Sequence, residues 1–174
     1  MRILTNFAAM RRATLCDMTK FDRSDARLLL ALCETPRATG VQLAAALQMA
    51  RNTVQSRLAR WEERRVLAPM DRLISTRDLG YTLRAYISAV VDQHRLEPII
   101  ALFGDIPEVI EVIGISGDAD LLIAVAALDA DDLYRVAGLI LAVPGVERTT
   151  MSVAMRDAIP YRTRPLLERL AHGR

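Results

Sequence analysis

The chain has 174 residues, enough for one ordinary domain or two small ones, and its 52% hydrophobic content excludes a disordered polymer. No apolar run is long enough to span a bilayer. Two cysteines, Cys16 and Cys33, stand in no metal-like spacing, which excludes a disulfide framework and fits a reducing cytoplasm. The net charge of +2 hides an asymmetry: residues 1–75 hold 13 basic and 7 acidic side chains, and residues 76–174 hold 10 and 14. Attraction for phosphates is therefore concentrated in the first half. Lys20 is the only lysine among the 23 basic residues, so the arginine and alanine richness is read as coding bias.

Residues 1–20 show no clean periodicity and read as a leader, with Met10 and Met18 as alternative starts. A basic arm carrying Arg11, Arg12 and Lys20 is the functional reading, and an over-annotated start the plainer one. The stretch lacks the apolar segment and cleavage site of a secretory signal. The folded pattern begins at Phe21. FDRSDARLLLALCE predicts a helix capped by Asp22 or Ser24, with Leu28, Leu29, Leu32 and Cys33 as its buried stripe. Pro36 ends it. Thr39 and Gln42 form a capping box for a second helix that buries Val41, Leu43, Ala44 and Leu47. Gln48-Met49-Ala50 is a turn. A third helix starts near Arg51, with Val54, Leu58 and Trp61 at i, i+4 and i+7 as its apolar stripe. Val66-Leu67 and Arg72-Leu73-Ile74 read as extended pieces of a wing, which makes residues 21–75 a winged helix-turn-helix, and 76–81 a linker ending near Gly80.

From Tyr81 the period changes. Leu83 to Val91 is a strand, Leu96 to Phe103 a helix, Glu108 to Ser116 a strand, and Leu121 to Ala127 the strand returning from a Gly117-Asp118-Ala119-Asp120 turn. Asp129 caps a helix to about Leu141, and Pro144-Gly145 leads to a last strand from Val146 to Met155. Residues 82–157 thus form a βαββαβ, ferredoxin-like unit, followed by a tail over 158–174. The fold class is α+β.

Two helices cover one face of a four-stranded sheet, yet Val109, Ile110, Val112, Ile113 and Ile115 load both faces, as do Leu121, Leu122, Ile123 and Val125. An apolar open face is seldom left in water, so a second copy is expected there. The alternative is that Ala158 to Leu170 folds back over it.

The polar face of the third helix offers Arg51, Asn52, Thr53, Gln55, Ser56, Arg57 and Arg60. Arg, Asn, Gln and Ser on a helix backed by a core suit a major groove. The same pattern also describes an ordinary solvated helix pair, and spacing alone does not separate the two. No nucleophile–base pair, metal-ligand spacing or phosphate-binding glycine loop is present, and His94 and His172 are too few for a metal site. The chain reads as no enzyme, with no cofactor and no metal.

Three places carry a family resemblance: FDRSDARLLLAL, RLARWEERRVL, and ISGDADLLIAV followed by VPGVERTTMSVAM. In order and spacing they are similar to the Lrp/AsnC, or feast/famine, transcription regulators over about residues 20–157. The resemblance implies a winged helix-turn-helix joined to a ferredoxin-like effector (RAM) domain, and binding of double-stranded DNA. It implies a homodimer through the effector-domain sheet that assembles to tetramers or octamers. It also implies a small-molecule effector, often an amino acid, held between effector domains. The matching positions are Ser116, Gly117, Asp118, Ala119 and Asp120, with Thr149, Thr150 and Met151 on the last strand. Gly117 would let backbone approach a ligand, and Asp118 or Asp120 would pair with an ammonium group.

The chain departs from the family at four places. Ala119 stands where an aromatic is common, Met151 where Thr is common, Gln48 at the turn glycine, and Ala50-Arg51 at a Ser-Pro opening. Two other readings are a ligand-binding co-regulator without DNA binding, kept open by the altered cap at Ala50, and an enzyme resembling the siroheme decarboxylases in architecture.

Overall fold

The computed structural model describes residues 21–67 and 70–173, and the leader lies outside them. The chain divides into two compact units, one within residues 1–68 and 161–174, the other within 69–160. Among the described residues no helix is long and apolar enough to cross a membrane.

The first unit is helical: α1 (Arg23–Glu34), α2 (Gly40–Leu47), α3 (Arg51–Glu63) and α6 (Arg164–His172). Both expected caps form. The Asp22 carboxylate accepts from the Asp25 N–H at 2.7 Å while the Asp25 carboxylate accepts from the Asp22 N–H at 2.9 Å. Thr39 and Gln42 do the same for α2. Leu28, Leu29, Leu43, Ala44, Val54 and Trp61 make the core, and Leu167 of α6 packs against it. Phe21 meets the Trp61 ring edge-on at 5.8 Å.

Three expectations are corrected here. Cys33 is exposed, because the last turn of α1 runs past the core. Val41 is 52% exposed, at the edge of the arc formed by Leu43, Ala44 and Leu47. Neither Val66-Leu67 nor Arg72-Leu73-Ile74 belongs to a strand. Arg65 takes a left-handed φ of 50°, and Met70–Leu73 is a 3-10 turn. The Ile74 N–H donates to the Asp71 carbonyl at 3.1 Å, which satisfies locally what a strand would need a neighbour to satisfy. The linker is also more ordered than a slack connector: the N–H groups of Asp78, Leu79, Gly80 and Tyr81 donate to carbonyls of Ser75, Thr76, Arg77 and Thr76. The tail contains a helix, α6, and that helix packs on α1. Arg164 joins the two through Glu34 at 2.9 Å.

The second unit is an antiparallel sheet with helices on one face. Its elements are β1 (Leu83–Val91), α4 (Leu96–Gly104), β2 (Val109–Gly114), β3 (Leu121–Ala127), α5 (Ala130–Leu141) and β4 (Val146–Val153). The strand order is β2-β3-β1-β4, the ferredoxin-like arrangement expected. Alternation along the strands sorts residues by face. Ala85, Ile87, Ala89, Val91, Leu121, Ile123, Val125 and Ala127 face the helices, where Ile99, Phe103, Leu133, Val136 and Ile140 complete the core.

The opposite face follows from the register. Tyr86 pairs with Ala124 and Ser152, Ser88 with Leu122 and Thr150, and Ile113 with Leu122. Its middle is apolar: Ala124 and Ala126 are buried, while Tyr86 is 37% and Ile113 43% exposed. Its margins carry Arg84, Glu111, Arg148, Thr150 and Ser152, so the face is less uniformly apolar than composition suggested.

Gly145 turns the chain into β4 with φ +105°, and a Cβ there would lie 2.8 Å from the Ile99 side chain. Gly145→Ala is expected to lower stability by about 1–3 kcal/mol, combining left-handed strain with a core clash. Urea unfolding with an unchanged m-value checks it.

Candidate functional site

The α3 helix is held by its back and free along its front. Val54 and Trp61 are fully buried and Leu58 is half-buried. On the other side Arg51, Asn52, Thr53, Gln55 and Ser56 are exposed. These five of the seven expected DNA-facing residues share one surface. The Ser56 hydroxyl donates to the Thr53 carbonyl at 3.0 Å, which leaves its lone pairs outward.

The helix has no side-chain cap at Ala50. Thr53 and Val54 N–H groups donate to the Ala50 carbonyl, but the N–H groups of Arg51 and Asn52 have no described acceptor. The positive end of α3 is thus open to an anion. Gln48 supplies the turn in place of glycine, adopting φ 53°, ψ 42°. Asn52 does not serve as the replacement cap.

Arg57 and Arg60 turn the other way. Arg57 reaches Asp22 through two bonds, at 2.9 and 3.0 Å, and also bonds Asp25. Arg60 stands 3.7 Å from the same Asp25 oxygen. Asp25 is 2% exposed, and a buried carboxylate needs a cation. The two arginines neutralise it and lock α3 to α1, so Arg57 is a positioning residue rather than a groove contact. The sequence carried a signal for this: Arg57 lies three residues after Val54 and four before Trp61, on the core side of the helix.

The Arg57 guanidinium, by its hydrogen bond, holds the Asp22 carboxyl below its ordinary 3.8, against the opposing effect of burial. A depressed folded value stabilises the fold above pH 3.8, and this contribution fades as pH drops through the folded value.

In the second unit the loop 115–120 is exposed at Ser116, Gly117 and Asp118. Gly117 has φ +129° with open space where a Cβ would stand. Asp118 makes no side-chain hydrogen bond or ion pair with any described residue. Asp120 differs. Its carboxylate accepts from the Val91 N–H at 2.9 Å and from the Gln93 amide, its N–H donates to the Ala89 carbonyl, and its carbonyl accepts from Ile115. Asp120 therefore fastens the ends of β1, β2 and β3 together. Both of its carboxylate oxygens are engaged within the chain, whereas those of Asp118 are not. An acid directly before a strand's first paired residue is the one hint in the sequence.

The three β4 positions do not act together. Thr149 pairs with Ala89 and Met151 with Ile87, on the helix-side register, whereas Thr150 pairs with Ser88 on the opposite side. Thr149 shares a row with Leu121 at the loop's end, two strands and roughly 10 Å away. Within one chain the loop and Thr150 and Met151 do not form one pocket.

Residues 84–163 match the Lrp/AsnC ligand binding domain family. The chain is 29% identical over 142 residues to the proline dehydrogenase transcriptional activator of Rhodobacter capsulatus, covering 79% of this chain and 92% of that protein. It is 26% identical over 144 residues to an HTH-type transcriptional regulator of Mycobacterium tuberculosis, covering 82% and 97%. Among solved structures, Escherichia coli AsnC superposes with a TM-score of 0.75 at 20% identity over 84% of this chain and 99% of that one. The feast or famine regulatory protein of M. tuberculosis complexed with L-methionine gives 0.71 at 25%, over 83% and 97%. The α6 helix begins just beyond the matched segment.

Arg57→Ala is expected to destabilise the first unit by about 1–3 kcal/mol, because Asp25 loses its hydrogen-bonded counter-charge and Arg60 stands farther off, at 3.7 Å. Asp22→Asn is expected to flatten the acid limb of thermal stability below pH 3.8. Melting curves across pH check both.

Proposed function

We propose that this chain, a member of the Lrp/AsnC family across residues 84–163, is a transcription regulator that binds double-stranded DNA and responds to a small amino-acid-type effector. The observation that carries the DNA reading is α3: a core-anchored back and an outward row of Arg51, Asn52, Thr53, Gln55 and Ser56. Asn52 and Gln55 read base edges by paired hydrogen bonds. Arg51 and the open N–H groups at the start of α3 take a phosphate, which replaces the cap that Ala50 lacks. Arg57 and Arg60 hold the helix in place from behind.

The effector reading rests on the exposed Gly117–Asp118 turn and on the L-methionine bound by a structural relative. A turn whose N–H groups from Ser116 to Ala119 have no acceptor among the described residues suits a carboxylate, and Asp118 suits the ammonium. The site's two parts lie apart in one chain, so we place the effector between two copies. The apolar middle of the open sheet face, around Tyr86, Ala124 and Ile113, supports that pairing.

The decisive test is fluorescence anisotropy with the promoter DNA beside the chain's own gene against scrambled DNA, at two salt concentrations, with and without a panel of amino acids. Asn52→Ala and Gln55→Ala should each cost ~1–3 kcal/mol on the operator and relax selectivity. Arg51→Ala should weaken all sequences alike and lower the salt slope by about one. Unchanged affinity and selectivity in both polar variants would refute α3 as the reading helix. Wild-type protein that selects no promoter under any condition would leave the co-regulator reading in force.

Assembly is tested separately: Ile113→Glu should shift the mass measured by light scattering toward monomer. An unchanged mass would remove the open face from the interface.

A further inference from the structure

The α6 helix lies at the C-terminal end of the chain, yet it belongs to the first unit, so the chain crosses between the units twice, at residue 68 and again at residue 160. Pro165 in its first turn and Gly173, at φ +81° after its last, bound the helix. A helix of nine residues is marginal by itself, and α1 is what holds it. Leu167 packs against the core of the first unit. Arg164, at the start of α6, pairs with Glu34 at the end of α1 at 2.9 Å. The Arg23 guanidinium, at the start of α1, lies against Gly173 at the end of α6. The two helices are therefore antiparallel and pinned together at both ends.

Both crossings are anchored on the sheet side. Before β1 the Tyr81 N–H donates to the Thr76 carbonyl at 3.0 Å, and the Thr82 hydroxyl to the Leu128 carbonyl at 2.7 Å. After β4 the Ala154 N–H donates to the Arg84 carbonyl at 2.8 Å, and Asp157 pairs with Arg84. Only residues 158–163 remain between that anchor and α6, a reach of at most roughly 20 Å, and Pro160 stiffens them. The strands β1 and β4 are neighbours, with Ala85 opposite Val153, so both segments meet the sheet at one end. On the first unit they attach at different places, one after α3 and the other along α1. A second, separate attachment removes the swivel that a single flexible one allows.

We propose that α6 is a second tether that makes the protein strict about the spacing of its operator half-sites. This rests on the regulator reading and on the pairing of two copies. Half-sites face the same side of the duplex when their centres lie whole turns apart, about 10–10.5 base pairs each. A stiff link lets both α3 helices of a pair bind only at such a spacing, whereas a slack link follows a displaced half-site. Slackening the tether therefore relaxes the spacing and leaves each half-site contact intact.

The test uses duplexes that the wild-type full chain selects from a random pool, with their half-sites then moved apart by about five base pairs, half a turn. The main variant carries about ten extra Gly and Ser residues between Ala158 and Ile159, which slackens the segment and still lets α6 dock. Wild type is expected to lose at least about tenfold in affinity on the displaced duplex, and the slack variant less than about threefold. The slack variant should keep the melting temperature, the emission of Trp61, the sole tryptophan, and the wild-type affinity for a duplex with one half-site. Leu167→Asp should undock α6, open the Arg169–Leu170 bond to trypsin and relax the spacing likewise. Leu166→Asp, at a side chain 64% exposed, should behave as wild type. A slack variant as strict as wild type, a wild type that tolerates the displacement, a slack variant with weakened binding to one half-site, or a Leu167→Asp chain whose α6 resists trypsin would each overturn the proposal. Failure of the wild type to select any duplex would refute the regulator reading, and this one with it, so the two failures are told apart.

Discussion

A side chain on a helix or strand can serve one face only, and in both units the apolar core claims its face first. In α3, Val54 and Trp61 fix the inner side, and the outward row from Arg51 to Ser56 is what that choice leaves over. In the sheet, Ile87 and Ile123 face the helices, which sends Tyr86 and Ala124 to the opposite side. Full burial of a Trp, Ile or Val side chain is worth roughly 1.5–3 kcal/mol. Individual polar contacts on the surface are worth less, so the functional surfaces follow the cores.

Buried charge imposes the second condition. Asp25 is the third-residue partner of Asp22 in the α1 capping box and, like Trp61, is buried. Once enclosed it requires cations, and Arg57 and Arg60 supply them from α3. The pair does little as a surface ion pair would; its role is to fix the rotation of α3 about its axis. That rotation decides which polar groups face outward. The same logic operates at Asp120, where one carboxylate satisfies a strand-end N–H and a neighbouring amide. In both places the acid is engaged within the chain.

Much of this was legible in the residues. The cap at Asp22, left open with Ser24, the capping box at Thr39, the core positions of α3, the six elements of the second unit and the Gly117 turn all follow from local rules of spacing and capping, which act within a few residues of chain. The extended pieces expected near Val66 and Ile74 were not legible. A short apolar run takes its conformation from the neighbour it finds, and here hydrogen bonds closed locally instead. Exposure at Cys33 and Val41 was likewise decided by where neighbouring helices end.

The sequence by itself determined the order of helices and strands, the polar face of α3, and the apolar load on both sides of the sheet, because periodicity and capping are properties of consecutive residues. Tertiary structure alone decided which acid Arg57 meets, since Asp25 and Arg57 stand 32 residues apart and come together only when α1 and α3 pack. It also decided that Thr150 and Met151 part company across the sheet, because strand register is set by long-range pairing.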